Sequence, residues 1–197
     1  MMYIFEGIDH SGKDTVINLL QEARVRLGFK KLPIFNGLNV YDKSEFSVVH
    51  EFIRDREEWQ KAISFEVMNF VAQTKVDVII NRFTWSEIVY SRVIRGKQPS
   101  EFYTEYMLRR LSSKIAKVIY VNAPVSEIEK RLTETKRYKS KEIRENIRGL
   151  AQEYLELLKE YGDTTIVDST WDLLEDEGQQ SSLALSIFED IKEKLKV

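Results

Sequence analysis

The sequence predicts an α/β fold in which a parallel β-sheet is covered by helices on both faces. Short apolar runs, many of them β-branched, recur along the chain and are typical of strands buried on both sides. Between these runs, apolar side chains recur at the three- and four-residue spacing of amphipathic helices. Alternation of the two patterns favours crossover connections and therefore parallel strands. Five strands are predicted, at residues 1–5, 31–35, 76–80, 118–122 and 164–168.

The predicted helices fill the intervals between these strands. Gly28 and Gly96 each follow a helical pattern and are suited to end a helix. Residues 39–56 are charged and lack a clear period, and residues 172–180 are acidic, so we predict a mixed loop and helix for the first segment and a solvated loop for the second. Helices are predicted at residues 13–26, 57–73, 85–95, 100–113, 126–133, 142–161 and 183–195.

Length and composition limit the possible functions. A chain of 197 residues predicts a single domain, spanning 1–197, and a net charge of −2 provides no basic surface for nucleic acid. The chain contains no cysteine, which excludes disulfides and thiolate metal sites and fits a cytoplasmic location. The apolar run at its start is too short for a signal peptide or a membrane span, so no membrane partner is predicted.

The connection between the first strand and the first helix carries a phosphate-binding pattern. Gly7 is followed by four residues and then by Gly12-Lys13. The glycines allow backbone N–H groups to surround phosphates, and the following helix directs its positive end at the anion. Lys13 can reach the outer phosphates, and a hydroxyl can support Mg²⁺. The predicted ATP-binding residues in this loop are Gly7, Asp9, His10, Ser11, Gly12, Lys13, Asp14 and Thr15.

The loop departs from its commonest form directly after the lysine. Asp14 occupies the usual position of the hydroxyl residue, and the hydroxyl comes one position later, at Thr15. This Gly-Lys-x-Thr arrangement resembles the loops of nucleoside monophosphate kinases and of some phage deoxynucleotide kinases. It predicts Asp14 and Thr15 as the residues near a metal ion.

Polar residues follow the predicted strands and should meet at one edge of the sheet. Parallel strands place their carboxyl ends together, and ligands bind beyond those ends in open α/β sheets. The predicted edge contains Glu6, residues 81–82, Asn122 and residues 168–170.

Several segments together resemble the thymidylate kinases. The matching segments are residues 5–13, Asn81-Arg82-Phe83 with Ser86 and Tyr90 downstream, residues 118–124 with 129–131, and residues 166–169. The resemblance implies a three-layer P-loop kinase fold, with a five-stranded parallel sheet and a short lid at about residues 134–142.

The resemblance also implies roles for individual residues. Lys13 would bind the β- and γ-phosphates of ATP, and Arg82 would hold the phosphate of the substrate. Asp9 would lie near the 3′-hydroxyl of the sugar, and Phe65 would stack on the base. Arg131 and Arg137 would belong to the lid, with Arg131 contacting ATP and Arg137 acting on the transferred group. The predicted substrate-binding residues are Glu6, Asp9, Phe65, Asn81 and Arg82.

Less specific interpretations stay open for three of these features. Arg82 at a strand end would also suit a surface ion pair, although its place at the sheet edge favours ligand binding. Phe65 on an amphipathic helix would also suit the core. The basic residues at 136–139 would also suit a solvated charged segment.

The chain departs from the family pattern at three places. Asn81 stands where the family has an aspartate, and we hypothesise that Asp14 supplies the missing charge. The family's Arg-Glu-Pro loop is replaced by residues 35–37. His10 occupies a position where some members have an arginine, and because histidine is largely neutral at pH 7 we assign the catalytic arginine to the lid.

The function that these observations favour is ATP- and Mg²⁺-dependent phosphorylation of a deoxynucleoside monophosphate, with dTMP yielding dTDP as the favoured case. One alternative is a deoxynucleoside kinase, in which Glu6 would act as general base on a free 5′-hydroxyl. A second alternative is a nucleotide-binding regulatory protein that has lost catalysis. Asn81 and Asp14 are the residues that would support it. The lack of an Asn-Lys-x-Asp motif in the chain argues against a GTPase. The family also implies a homodimer, with Ile88, Val89 and Tyr90 of the helix at 85–95 as interface candidates.

Overall fold

The structure is a computed structural model, and it describes residues 1–36, 56–74, 76–108, 115–134, 140–161, 164–170 and 182. Within these ranges it contains five strands and six helical segments. The strands are β1 (Met2–Glu6), β2 (Ile34–Asn36), β3 (Val78–Asn81), β4 (Ala116–Asn122) and β5 (Thr164–Asp168). The helices are α1 (Lys13–Arg26), α2 (Arg56–Thr74), α3 (Thr84–Val93), the π-helical α4 (Phe102–Met107), α5 (Val125–Glu134) and α6 (Ser140–Glu160).

The strands form one parallel sheet in the order β2-β3-β1-β4-β5. The central strand, β1, pairs with β3 on one side and β4 on the other, so Phe5 lies opposite both Asn81 and Ile119. The chain crosses from one side of β1 to the other between β3 and β4, which makes the carboxyl end of β1 a topological switch point. The loop after β1 therefore lies where this class of sheet binds ligands.

Helices cover both faces of the sheet, because the side chains of β1 alternate between two apolar cores. Tyr3 and Phe5 point to the face covered by α1, whereas Met2 and Ile4 point to the opposite face. The core beneath α1 comprises Tyr3, Phe5, Val16, Ile17, Leu20, Ile79, Ile119, Val121 and Val167. Helices α2, α3, α4, α5 and α6 contribute to the other core. The predicted three-layer parallel fold is confirmed.

The element boundaries differ most around β2 and α4. The strand predicted at residues 31–35 is observed only over Ile34–Asn36, so it begins directly after Pro33. Proline lacks a backbone N–H and cannot donate to the sheet, although its carbonyl accepts a hydrogen bond of 2.9 Å from the Ile79 N–H. A helix was predicted at residues 100–113. In the described part of that range, the structure has the π-helical segment α4.

The prediction that α3 supplies a dimer interface is wrong. Ile88 and Val89 are fully buried within the single chain, and Trp85 is only 2% exposed. Tyr90 is partly buried and bonded to Asp9. The apolar face of α3 therefore packs inward, partly against α6, and is not available to a second copy.

Several predicted segments lie outside the described residues. They include Arg137, most of the lid predicted at 134–142, residues 39–55, the acidic segment at 172–180 and the helix at 183–195. Within the described ranges, no helix combines the length and apolar character needed to cross a bilayer.

Candidate functional site

The loop between β1 and α1 requires glycine at both positions that define the predicted phosphate-binding pattern. Gly7 has φ 145°, and a Cβ atom there would lie 2.5 Å from the Val121 carbonyl oxygen. Gly12 has φ 92° and immediately precedes the first residue of α1. His10 also adopts a left-handed conformation, at φ 65°. The loop thus curls tightly before the helix begins, as phosphate binding by backbone N–H groups requires.

Two side chains outside the loop brace its backbone. Arg131, on α5, donates from Nη1 to the His10 carbonyl at 3.1 Å and from Nη2 to the Ser169 carbonyl at 2.7 Å. Ser169 Oγ donates to the Ser11 carbonyl, and it also lies 3.2 Å from the Asn122 carbonyl. Arg131, predicted as an ATP-contacting lid residue, is buried and directed at the loop backbone. The sequence predicted that Ser169 lies at the edge of the sheet, but it did not predict these contacts with the loop.

Lys13 is buried and folds back over the loop. Its Nζ donates to the Gly7 carbonyl at 2.9 Å and to the Ile8 carbonyl at 2.7 Å. Burial, together with the nearby Arg82 cation, lowers the pKa of Lys13 to about 7, against the opposing effect of nearby carboxylates such as Asp9. An anionic phosphate beside this ammonium group would favour its charged form.

Asp14 and Asn81 are in direct contact, so the departure from the commonest phosphate loop lies beside the departure from the family pattern at the end of β3. Asn81 Nδ2, at the end of β3, donates to Asp14 Oδ1 at 2.6 Å. The amide oxygen of Asn81 is buried and has no hydrogen-bond partner among the described residues. Asp14 is exposed in the first turn of α1, next to the exposed Thr15.

The donor set at this position fits Mg²⁺ only with help from a nucleotide. In the part of the chain that the structure describes, no cluster of three or more His, Cys, Asp or Glu side chains could hold a metal ion. Mg²⁺ in kinase sites is usually held by one or two protein groups together with substrate phosphates and water. The Asp14 carboxylate and the Thr15 hydroxyl, both oxygen donors beside the phosphate loop, meet that requirement.

Arg82, Asp9 and Tyr90 form a bonded group beside the loop. Arg82 adopts φ 68°, pairs through Nη2 with Asp9 Oδ1, and lies over the Tyr90 ring at 5.4 Å from its centroid. The Tyr90 hydroxyl donates to Asp9 Oδ2 at 2.9 Å. Burial alone would raise the pKa of Asp9, but the Arg82 guanidinium and other donors outweigh it and hold that pKa below its usual value. Arg82 and Asp9, two of the five residues predicted to bind the substrate, are therefore in direct contact.

Glu6 performs a role that was not predicted. Its Oε1 accepts hydrogen bonds from the N–H groups of Phe83 and Trp85, each at 3.0 Å, and its Oε2 accepts from the N–H and hydroxyl of Ser86. The side chain is inaccessible to solvent, and burial raises its pKa against the opposing effect of these donors. Glu6 thus caps the first turn of α3, for which the preceding Phe83 has no capping group. The sequence signal for this role was Phe83, whose side chain cannot cap the helix that follows it.

Tyr154 connects α6 to the same buried group. Its hydroxyl lies 2.9 Å from Ser86 Oγ and 3.3 Å from the Gly7 carbonyl oxygen. Its position in a helical apolar pattern indicated only a core residue, and no local signal revealed these polar contacts.

Phe65 lies on α2 within a group of aromatic rings. Its centroid is 6.3 Å from that of Tyr106, which stacks on Phe102 at 5.4 Å. Phe65 is only partly buried, so one part of the ring remains accessible. Its role as a base platform stays a prediction.

Comparisons with known proteins were made by sequence and by fold. No protein-family model matches the sequence. The chain is 28% identical to a probable thymidylate kinase of Methanocaldococcus jannaschii over 183 residues, covering 86% of this chain and 87% of that protein.

Two solved structures have the same fold. The YorR protein of Bacillus subtilis, in complex with phosphorylated GDP, superposes with a TM-score of 0.64 at 21% identity, covering 100% of this chain and 99% of that one. The thymidylate kinase of Candida albicans has a TM-score of 0.63 at 17% identity, covering 98% of this chain and 92% of that one. The chain therefore has the P-loop kinase fold, and the resemblance to the thymidylate kinases predicted from its sequence is confirmed.

Proposed function

We propose that the protein, as a single domain of residues 1–197, transfers the γ-phosphoryl group of ATP to a deoxynucleoside monophosphate, with dTMP as the favoured acceptor. The observation that carries this proposal is the proximity of two anion-binding groups at the ends of β1 and β3. One is the glycine loop with Lys13, and the other is Arg82 bonded to Asp9. A donor phosphate and an acceptor phosphate need two such groups side by side.

Catalysis in this proposal consists of positioning and charge neutralisation. The loop N–H groups and Lys13 hold the donor phosphates, while Arg82 holds the acceptor phosphate. Asp14 and Thr15 would hold Mg²⁺. When bound, this ion would neutralise negative charge on the phosphate oxygens. The lid at 134–142, with Arg137, would close over the reacting groups and exclude water.

The environment of Glu6 favours a monophosphate acceptor over a free nucleoside. A nucleoside kinase needs a general base near the 5′-hydroxyl. Both carboxylate oxygens of Glu6 are engaged at the start of α3, and the side chain is inaccessible. Glu6 would have to abandon this cap to act as that base.

The contact between Asn81 and Asp14 favours an enzyme over a catalytically inactive regulatory protein. A carboxylate remains at the edge of the site although β3 ends in an amide. The similarity to the Methanocaldococcus jannaschii protein, named a probable thymidylate kinase, supports a thymidylate acceptor. Because YorR was solved with phosphorylated GDP, dGMP is the second acceptor to test beside dTMP.

The test is ATP consumption with Mg²⁺ against the four deoxynucleoside monophosphates, the four deoxynucleosides and no acceptor. We expect turnover with a monophosphate, and loss of several orders of magnitude in the Lys13→Ala variant. Lys30→Ala, which changes an exposed lysine beyond α1, is the matched control. Turnover with nucleosides alone would replace the proposal by its first alternative. ATP binding with no turnover on any acceptor would replace it by the second.

A homodimer and a cytoplasmic location complete the proposal. Because the apolar face of α3 is buried, a dimer would have to use another surface. Light scattering of the purified protein tests the dimer, and a mass equal to one chain would contradict it.

A further inference from the structure

Two successive carbonyls of the phosphate loop accept hydrogen bonds from side chains far along the chain. The His10 carbonyl accepts from Arg131 Nη1 at 3.1 Å, and the Ser11 carbonyl accepts from Ser169 Oγ. Arg131 Nη2 also donates to the Ser169 carbonyl at 2.7 Å, so these two residues form one bonded unit, the Arg131–Ser169 unit. Both residues are buried, so water cannot readily replace either donor to the loop.

The Arg131–Ser169 unit is itself anchored to the sheet and to the core. Ser169 directly follows β5, and its N–H donates at 2.8 Å to the carbonyl of Asn122, the last residue of β4. Arg131 lies on α5, whose Ile128 and Leu132 are buried in the apolar core. The two loop carbonyls are therefore bonded to groups whose positions are determined by the packed fold.

Bonding of the carbonyls determines the direction of N–H groups in the loop. In the trans peptides of this loop, a carbonyl and the N–H of the following residue point in opposite directions. Because the Ser11 carbonyl faces Ser169, the N–H of Gly12 points away from Ser169. The Gly12 carbonyl accepts from the Val16 N–H at 3.0 Å, so the N–H of Lys13 points out of the start of α1. Neither N–H has an acceptor among the described residues.

The same unit supports a strained part of the loop. His10 adopts φ 65°, a left-handed conformation that residues other than glycine rarely adopt and that persists only where the surroundings fix it. The hydrogen bond from Arg131 to the His10 carbonyl is one such restraint. Packing is the other, because a Cβ atom at Gly12 would lie 3.2 Å from Ser169 Oγ and 3.4 Å from Arg131 Nη1.

We propose that Arg131 and Ser169 are positioning residues for the phosphates of the donor nucleotide. By holding the two loop carbonyls, they direct the N–H groups of Gly12 and Lys13 towards the phosphate. A loop that already has this shape binds phosphate without the cost of ordering its backbone. This role differs from the direct contact of Arg131 with ATP that the family resemblance implies. The inference rests on the proposed function, because it requires a nucleotide whose phosphates occupy the loop.

The experiment compares ATP with tripolyphosphate, which has the phosphates but no adenosine, each with Mg²⁺ and in competition with a fluorescent ATP analogue. We expect Ser169→Ala to weaken both ligands by the same factor, about five- to tenfold, the value of one hydrogen bond. Arg131→Gln should weaken both about 10- to 100-fold, since its bonds are charged. Ser91→Ala is the matched control, because the Ser91 hydroxyl is also buried but is bonded to Glu87 and Arg95.

A second measurement separates positioning of the loop from general damage to the fold. In Ser169→Ala and Arg131→Gln, the KM of ATP should rise while the KM of the acceptor monophosphate stays unchanged. If Arg131→Gln does not fold, Arg131→Lys keeps the charge but loses the two-pronged contact and gives the same comparison.

Three results would contradict the inference. Arg131→Gln would weaken ATP but not tripolyphosphate if Arg131 contacts adenosine instead of supporting the loop. Wild-type affinity of Ser169→Ala for both ligands would show that its hydroxyl does not position the loop. An equal rise in both KM values would show a purely structural role. A wild-type protein that bound neither ATP nor tripolyphosphate would instead overturn the proposed function.

Discussion

The side-chain amide of Asn81 donates a 2.6 Å hydrogen bond to the Asp14 carboxylate, which joins the end of β3 to the first turn of α1. The negative charge at this edge of the site therefore stands on α1, one residue after Lys13, and an amide at the end of β3 orients it. A carboxylate in the first turn is also favoured by the positive end of the helix.

Removing this carboxylate should weaken metal dependence specifically. We expect Asp14→Ala to lower Mg²⁺-dependent turnover by about 10- to 100-fold and to raise the Mg²⁺ concentration needed for half-maximal rate. The exchanged variant Asn81→Asp/Asp14→Asn should recover part of the rate, because it restores one carboxylate and one amide. A Mg²⁺ titration of the rate checks this, with Glu22→Ala on the same helix as control. Full Mg²⁺-dependent activity in Asp14→Ala would exclude a metal role for Asp14.

Nucleotide binding should take up a proton above neutral pH. The pKa of Lys13 is about 7 in the free protein, so at pH 8 most molecules carry a neutral amine there. Bound phosphate favours the ammonium form, so ATP binding at pH 8 should take up about one proton. Calorimetry in buffers of different ionisation enthalpy measures this number, and Lys13→Met should abolish it. Binding without proton uptake at pH 8 would contradict the assignment.

The same lowered pKa predicts how the stability of the free protein depends on pH. Between about pH 7 and 10, the unfolded chain carries a proton on Lys13 that the folded chain has lost. The contribution of this group to the free energy of unfolding should therefore rise with pH over that range. Urea unfolding of the wild type and of Lys13→Met isolates the contribution.

Three glycines allow backbone strain to be separated from steric crowding. Gly28→Ala, at φ 84° with nothing within 4 Å of the added Cβ, should cost only the left-handed backbone, about 1 kcal/mol. Gly12→Ala should cost more, because its Cβ would lie 3.2 Å from Ser169 Oγ. Gly7→Ala should cost most, about 3 kcal/mol or more, because its Cβ would lie 2.5 Å from a backbone oxygen. Urea midpoints establish the order, and a Gly7→Ala variant as stable as Gly28→Ala would contradict it.

Glu6 should be more important for stability than for the choice of acceptor. Glu6→Gln places an NH₂ donor where Oε2 now accepts from Ser86, or loses the acceptor shared by Phe83 and Trp85. We expect a loss of about 1–3 kcal/mol in the free energy of unfolding, measured by urea denaturation. Glu22→Gln, at an exposed position of α1, is the matched control. A Glu6→Gln variant of normal stability that lost turnover on nucleosides would identify Glu6 as a general base.

Local patterns were sufficient to predict the parallel sheet and most of its elements. The strand at Thr164–Asp168 and the helix at Lys13–Arg26 have the predicted bounds, because strands and amphipathic helices leave distinct periodicities. Boundaries shifted where hydrogen bonding within the sheet decided the outcome, as at Pro33.

The site was predicted only where its chemistry is local. Gly7, Gly12 and Lys13 lie within one short loop, and their spacing determines the loop conformation and the phosphate chemistry together. The contact of Asn81 with Asp14 joins residues 67 positions apart, and the contact of Tyr154 with Gly7 joins residues 147 apart. Such contacts depend on strand order and helix packing, which periodicity does not specify.

The sequence by itself determined the fold class, the phosphate loop and the residues available at the edge of the sheet. Only the tertiary structure decided what those residues contact. It made Glu6 a helix cap, turned the apolar face of α3 into core, and directed Arg131 at the loop backbone. The physical reason is that a buried polar or apolar group takes its role from the partner that satisfies it, and that partner is brought near by folding, not by position in the chain.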